Sequence, residues 1–194
     1  MNIAHFLTFL RVFLIPFFPL IYLHPNWFGI NLYLMPVVLL IILFICELTD
    51  IIDGFLARKK NIVTNFGKVI DPMADTITHI SVFFTFTQGE VAIPLLLVFV
   101  LLYRELIVTT LRTLCALKGI AVGARISGKV KTVVMGIISF AVVILMIPYF
   151  YSAISLDVLQ KTSIILVVVA AFFSVYSAVD YFFANYSILK KIIR

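Results

Sequence analysis

From Val12 to Cys46 the chain carries no Asp, Glu, Lys or Arg, and a turn-forming stretch, His24-Pro25-Asn26-Trp27-Phe28-Gly29, divides this apolar run in two. Similar runs recur to the C-terminus, separated by short polar segments such as Gln88-Gly89-Glu90 and Lys118-Gly119. Crossing a bilayer takes about 20 mostly apolar residues in a helix. The pattern predicts six such helices, at about 6–23, 32–57, 67–87, 92–117, 129–150 and 163–184. No internal repeat or linker divides them, so residues 1–194 are expected to form a single all-α, polytopic membrane domain.

Composition narrows the picture further. The chain is 63% apolar and only 12% charged, with a mean hydropathy of +1.19. Soluble domains average roughly 45–50% apolar and about 25% charged. Too few charges are present to cover a water-facing surface, which excludes an ordinary soluble enzyme, a disordered chain and a secreted disulfide scaffold. Cys46 and Cys115 both lie within apolar runs and are expected to be packing residues. Residues 1–23 lack a basic opening segment and a small-residue cleavage site, and Arg11 interrupts the run, so no cleavable signal peptide is expected.

The net charge of +6 is distributed unevenly. Arg58, Lys59, Lys60 and Lys68 fall between the second and third helices, and Lys118, Arg125, Lys129 and Lys131 between the fourth and fifth. Lys190, Lys191 and Arg194 close the chain, whereas the alternate loops carry only Lys161, offset by Asp157. Lys and Arg collect on the cytoplasmic side of membrane proteins. Both termini and the 58–68 and 118–131 loops are therefore expected in the cytoplasm of a bacterial-type inner membrane. The basic excess points to membrane orientation and anionic ligands rather than to nucleic acid.

Charges within spans cost several kcal/mol, roughly 2.5–3.5 on insertion scales, and mark functional sites. Asp50 and Asp53 are three apart near the end of the second helix, and Asp71 and Asp75 are four apart near the start of the third. Each pair shares one helix face. Antiparallel packing of the two helices would gather all four. Four uncompensated carboxylates would repel, so protons or cations must intervene. An all-oxygen set suits two Mg²⁺ or Mn²⁺ ions, and paired ions of this kind serve phosphoryl and nucleotidyl transfer. The alternative is a set of Asp–Lys/Arg pairs. Gly54 allows a ligand close to the backbone or a close helix contact, and Ala57 has the same two readings. Arg58 can pair with a phosphate or snorkel to the interface.

In full, the segment reads Asp50-Ile-Ile-Asp53-Gly54-Phe-Leu-Ala57-Arg58, eight residues, then Gly67-Lys-Val-Ile-Asp71-Pro-Met-Ala-Asp75. It resembles the signature of the CDP-alcohol phosphotransferase family, D-x-x-D-G-x-x-A-R-x8-G-x-x-x-D-x-x-x-D, at every fixed position. The resemblance implies six membrane helices, a homodimer, a CDP-linked donor and two divalent cations. It implies that an acceptor hydroxyl attacks the β-phosphorus and CMP leaves. Asp50, Asp53, Asp71 and Asp75 would be metal ligands, with Asp75 also the general base. Gly54, Ala57, Arg58 and Gly67 would shape the nucleotide and diphosphate site, with Thr64 near the diphosphate. Leu7-Thr8-Phe9-Leu10-Arg11 is similar to the family's opening Leu-Thr-x-x-Arg element, which would bring Thr8 to the nucleotide.

A second constellation, Arg104-Glu105 through Thr109 to Arg112 and then Gly128-Lys129-Val-Lys131-Thr132, lies outside that signature. Arg104 and Arg112 are eight apart and share a helix face. With Lys129 and Lys131 they form a candidate pocket for the phosphate of an acceptor. Alternatively Lys129 and Lys131 anchor the helix and Arg112 pairs with Glu105, seven residues away. The pattern is similar to that of the bacterial branch of the family whose donor is CDP-diacylglycerol and whose acceptor is sn-glycerol 3-phosphate, the phosphatidylglycerophosphate synthases. Two departures stand out: Thr76 follows Asp75 where that branch usually has Lys, and Arg125-Ile126-Ser127 precedes Gly128 in place of small residues.

Phosphatidylglycerol, inositol phosphate and serine are the other acceptors this chemistry allows. A divalent-cation transporter is the reading from a different class, though its ion path would need acidic residues on the far side as well. His79, four residues after Asp75, is expected to be a relay or extra ligand, or a neutral residue bonded within the bundle. Glu47 lies one turn before Asp50, and Asp180 is expected to pair with a basic residue.

Overall fold

The computed structural model describes residues 3–59, 67–117 and 125–193, with side chains over 6–52, 70–115 and 125–186. All regular structure among them is helical, in agreement with the expected fold class. The helices are α1 (Ile3–Leu14), α2 (Phe17–Leu23), α3 (Met35–Lys59), α4 (Gly67–Thr85), α5 (Leu95–Leu117), α6 (Ile126–Phe150) and α7 (Leu156–Ile193), with a 3-10 turn at Pro25–Phe28.

The expected first span is broken into α1 and α2. Pro16 and Pro19 lack the N–H that would bond back four residues, and their rings crowd the preceding turn. The chain tightens there, with the Phe18 N–H donating to the Ile15 carbonyl at 3.0 Å. The last helix is longer at both ends than the expected 163–184, because polar residues continue it beyond its apolar stretch. Among the described residues, four segments are long and apolar enough to cross a membrane: Phe6–Leu23, Met35–Ile52, Ile126–Phe150 and Leu156–Tyr186. The charged α4 and α5 are not among these four.

Apolar packing is concentrated in one half of the bundle. Phe18 and Tyr22 of α2, Leu39 of α3, Phe83 of α4 with Phe86 just beyond its end, Met146 of α6 and Leu159 of α7 are buried there. The ring edges of Phe18, Tyr22 and Phe83 meet Phe86 at centroid distances of 6.0–6.4 Å. These residues come from the start of α3 and α7 but from the end of α4 and α6, so the helices alternate in direction. The other half holds the buried polar residues Thr8, Arg11, Glu105, Lys131, Ser174 and Ser177. Outward faces carry Phe13, Leu96, Ile137, Phe172 and Phe183, a continuous apolar surface of the kind that meets lipid.

α3 and α4, which carry the signature carboxylates, share their neighbours. Among the described residues, α1 packs against both of them, and so does α6. α1 and α6 thus help to hold the two carboxylate-bearing helices in place.

Candidate active site

α1 supplies the first partners of the carboxylates. Arg11, only 2% exposed, donates through Nη1 to Asp50 Oδ1 of α3, whose side chain is 39% exposed. Thr8, one turn earlier on the same face, donates to Asp71 Oδ1 of α4 at 3.1 Å. Asp75 meets His79 of its own helix, with Nε2 3.2 Å from Oδ1. Each of these three carboxylates therefore engages the protein through Oδ1 in the contacts seen among the described residues. Pro72 sits between the two α4 carboxylates and deletes one backbone hydrogen bond of the helix.

Asp53, Gly54, Ala57 and Arg58 lie on α3, and Gly67 begins α4, as their spacing requires; their side chains are outside the described set. Thr64 lies outside the described residues altogether. Among the described residues, no three His, Cys, Asp or Glu side chains converge as a metal-binding group.

Basic residues of α5 and α6 converge deeper in the same half. Lys131, 3% exposed, pairs with Glu105, and Arg104 meets the same carboxylate oxygen at 2.9 Å. Arg104 also donates from Nε to the Ser174 carbonyl at 3.2 Å and from Nη2 to Ser177 Oγ, which ties α5 to α7. Arg112 follows a different course from the alternative pairing with Glu105. Its guanidinium stacks over Tyr181 of α7, 5.6 Å from the ring centre, beside Gly128, where a Cβ would lie 3.6 Å from Nη2. Its Nε is buried with no hydrogen-bond partner. Arg104 and Lys131 thus share one carboxylate with Arg112 within electrostatic reach of Arg104, and the cluster carries a surplus of positive charge.

Lys129 is exposed, unlike Lys131. Two residues turn a helix by about 200°, so the two lysines leave different sides of α6. Arg125 reaches Asp180 of α7 at 2.7 Å, as expected for a basic partner of that residue. Ser127 donates to the same carboxylate. Thr76 donates to the Pro72 carbonyl at 2.9 Å and is satisfied on its own helix.

Asp75 lies within electrostatic reach of both Lys131 and Arg11. Arg11 and Glu105 as pairing residues were the parts sequence reasoning missed. A signal existed for Arg11: it falls one turn after Thr8 in a run otherwise free of charge.

A sequence profile of CDP-alcohol phosphatidyltransferases matches residues 1–176. The chain belongs to the CDP-alcohol phosphatidyltransferase family. It is similar to a Bacillus subtilis protein named CDP-diacylglycerol–glycerol-3-phosphate 3-phosphatidyltransferase, 35% identical over 97% of both chains. Proteins of the same name from Rickettsia typhi, 32% identical over 93% of this chain and 95% of the relative, and Treponema pallidum, 34% over 74% and 69%, are also similar. In this member of the CDP-alcohol phosphatidyltransferases, the signature segment occupies the facing ends of α3 and α4.

Proposed function

We propose that this protein transfers the phosphatidyl group of CDP-diacylglycerol to sn-glycerol 3-phosphate, giving phosphatidylglycerophosphate and CMP. The observation that carries the reading is the position of Asp75. It lies one turn after Asp71 on α4, within electrostatic reach of Arg11, the partner of Asp50, and of Lys131 in the Lys131–Glu105–Arg104 cluster. A diphosphate donor needs the first group, and a phosphorylated acceptor needs the second. The names of the similar bacterial proteins agree with both substrates.

The donor set suits hard divalent cations. Asp50, Asp71 and Asp75 are oxygen ligands, none fully buried, and each has one oxygen not engaged in the contacts described above. Together with Asp53 they would hold two Mg²⁺ or Mn²⁺ ions. When bound, these ions supply charge neutralisation for the diphosphate and for departing CMP. Arg11 and Thr8 fix the orientation of Asp50 and Asp71 in advance. Gly54, Ala57, Arg58, Thr64 and Gly67 would complete the nucleotide and diphosphate site with Thr8, by their match to the family signature.

The surplus positive charge at Arg104, Lys131 and Arg112 attracts the acceptor phosphate. That would bring a glycerol hydroxyl to Asp75, which accepts its proton. The hydroxyl oxygen bonds to the β-phosphorus as the bond to the CMP phosphate oxygen breaks, and the electron pair leaves with CMP. Lys129 would face the membrane surface.

α4 and α5 would be the third and fourth of six spans. Their 19 and 23 residues extend about 28 and 34 Å at ~1.5 Å per residue, close to the ~30 Å hydrocarbon thickness. Their charges face inward to the cluster. The Lys/Arg distribution supports termini and active site on the cytoplasmic side of the inner membrane. A homodimer rests on the family resemblance alone. A panel of radiolabelled acceptors with CDP-diacylglycerol tests the proposal. Glycerol 3-phosphate should label the lipid product, and labelling by serine, inositol phosphate or phosphatidylglycerol in its place would overturn the acceptor assignment.

A further inference from the structure

His79 and Glu47 take no part in the chemistry above, yet both lie directly behind it. Glu47 is three residues before Asp50 on α3, and His79 four residues after Asp75 on α4. The helices run in opposite directions, so both residues lie on the same, deeper side of the carboxylates, by about 4.5 and 6 Å at ~1.5 Å per residue. His79 is 4% exposed and its Nε2 stands 3.2 Å from Asp75 Oδ1. Glu47 is within electrostatic reach of His79. Space for its carboxylate comes from Gly136 of α6, where a Cβ would lie 3.3 Å from Glu47 Oε1. Thr76, the residue next to Asp75, is occupied with the Pro72 carbonyl and cannot steady the carboxylate.

We propose that His79 is a positioning residue for Asp75, and that Glu47 acts on Asp75 from α3 through His79. The Nε2–H bond to Oδ1 restricts rotation of the Asp75 carboxylate and presents Oδ2 to the acceptor hydroxyl. A hydrogen bond of fixed direction is what the role requires, whatever the charge on the imidazole.

The inference rests on Asp75 being the base, and one set of variants separates the two claims. Steady-state kinetics at saturating Mg²⁺ are measured for His79→Ala, His79→Gln, Glu47→Gln, the double variant Glu47→Gln/His79→Ala, and Asp75→Asn. Size-exclusion profiles and CDP-diacylglycerol binding are measured for each. His79→Ala should lower kcat about tenfold, the loss of one charge-assisted hydrogen bond, with both KM values within twofold. His79→Gln, whose amide can still donate, should recover most of kcat. Glu47→Gln should lower kcat less, and add nothing to His79→Ala, because the two act through one contact. Unchanged kcat in His79→Ala overturns the proposal, as does His79→Gln performing no better than His79→Ala, or loss of donor binding in both His79 variants. Sustained turnover by Asp75→Asn instead overturns the assignment of the base.

Discussion

Lys131 of α6 and Glu105 of α5 form an ion pair inside the bundle, with both side chains less than 8% exposed and Arg104 sharing the same carboxylate oxygen. Removing one member of such a pair leaves an uncompensated buried charge and costs about 3–5 kcal/mol. Glu105→Gln should therefore lower the unfolding temperature in detergent markedly. Glu105→Gln combined with Lys131→Met should regain much of that stability and remain inactive with glycerol 3-phosphate. Recovery of transfer in the double variant would show that Lys131 serves packing alone.

Arg112 and Lys129 separate a pocket residue from an anchoring one. A charge-assisted hydrogen bond contributes about 1.5–3 kcal/mol, and each 1.4 kcal/mol is about tenfold. Arg112→Gln should raise the KM for glycerol 3-phosphate about 10–100-fold and leave that for CDP-diacylglycerol nearly unchanged. Lys129→Gln should change neither by more than about twofold, since exposed single charges contribute little. Equal effects from the two substitutions would remove the distinction drawn from their burial.

Much of this arrangement was legible in the chain. Helix positions followed from the length of the apolar runs, and the eight fixed signature residues located the acidic ends of α3 and α4. The break at Pro16 was not anticipated, because both sides of it are equally apolar and hydropathy is blind to a missing N–H. Of the two readings the sequence left open for Arg112, pairing with Glu105 is disfavoured for a geometric reason. Seven residues put two side chains on one face but about 10.5 Å apart along the axis, at ~1.5 Å per residue, and Lys131 of a neighbouring helix is nearer. The placement of α1 and α6 against both α3 and α4 is a tertiary fact that no local pattern encodes.

Thr8 and Asp50 bear on the proposed cations. Thr8→Val deletes the 3.1 Å bond to Asp71, worth about 0.5–1.5 kcal/mol. The Mg²⁺ concentration giving half-maximal activity should rise about two- to tenfold, with full activity restored at high Mg²⁺. Asp50→Asn, which removes a charged oxygen donor, should not be restored. Chelation should stop transfer by the unmodified protein until Mg²⁺ or Mn²⁺ is returned. Transfer that persists under chelation would contradict the cation assignment.

The far end of the bundle offers a structural control. Gly89 has φ +65°, and a Cβ there would sit 2.9 Å from the Tyr22 ring. The Tyr22 hydroxyl donates to the Gln88 carbonyl at 2.9 Å and accepts from the Val91 N–H at 3.3 Å. Gly89→Ala should cost about 1–3 kcal/mol through backbone strain and displacement of that ring. Thermal unfolding should show this, while kcat at low temperature stays unchanged.

The central claim is that transfer occurs where Asp75 meets the basic cluster. The most direct measurement follows CMP release and incorporation of labelled glycerol 3-phosphate together, in proteoliposomes containing CDP-diacylglycerol and Mg²⁺, for the unmodified protein and Asp75→Asn. The account predicts equal amounts of CMP and labelled lipid from the unmodified protein, no CMP without acceptor, and no product from Asp75→Asn despite retained donor binding. CMP release that is independent of glycerol 3-phosphate, or that survives Asp75→Asn, would contradict it.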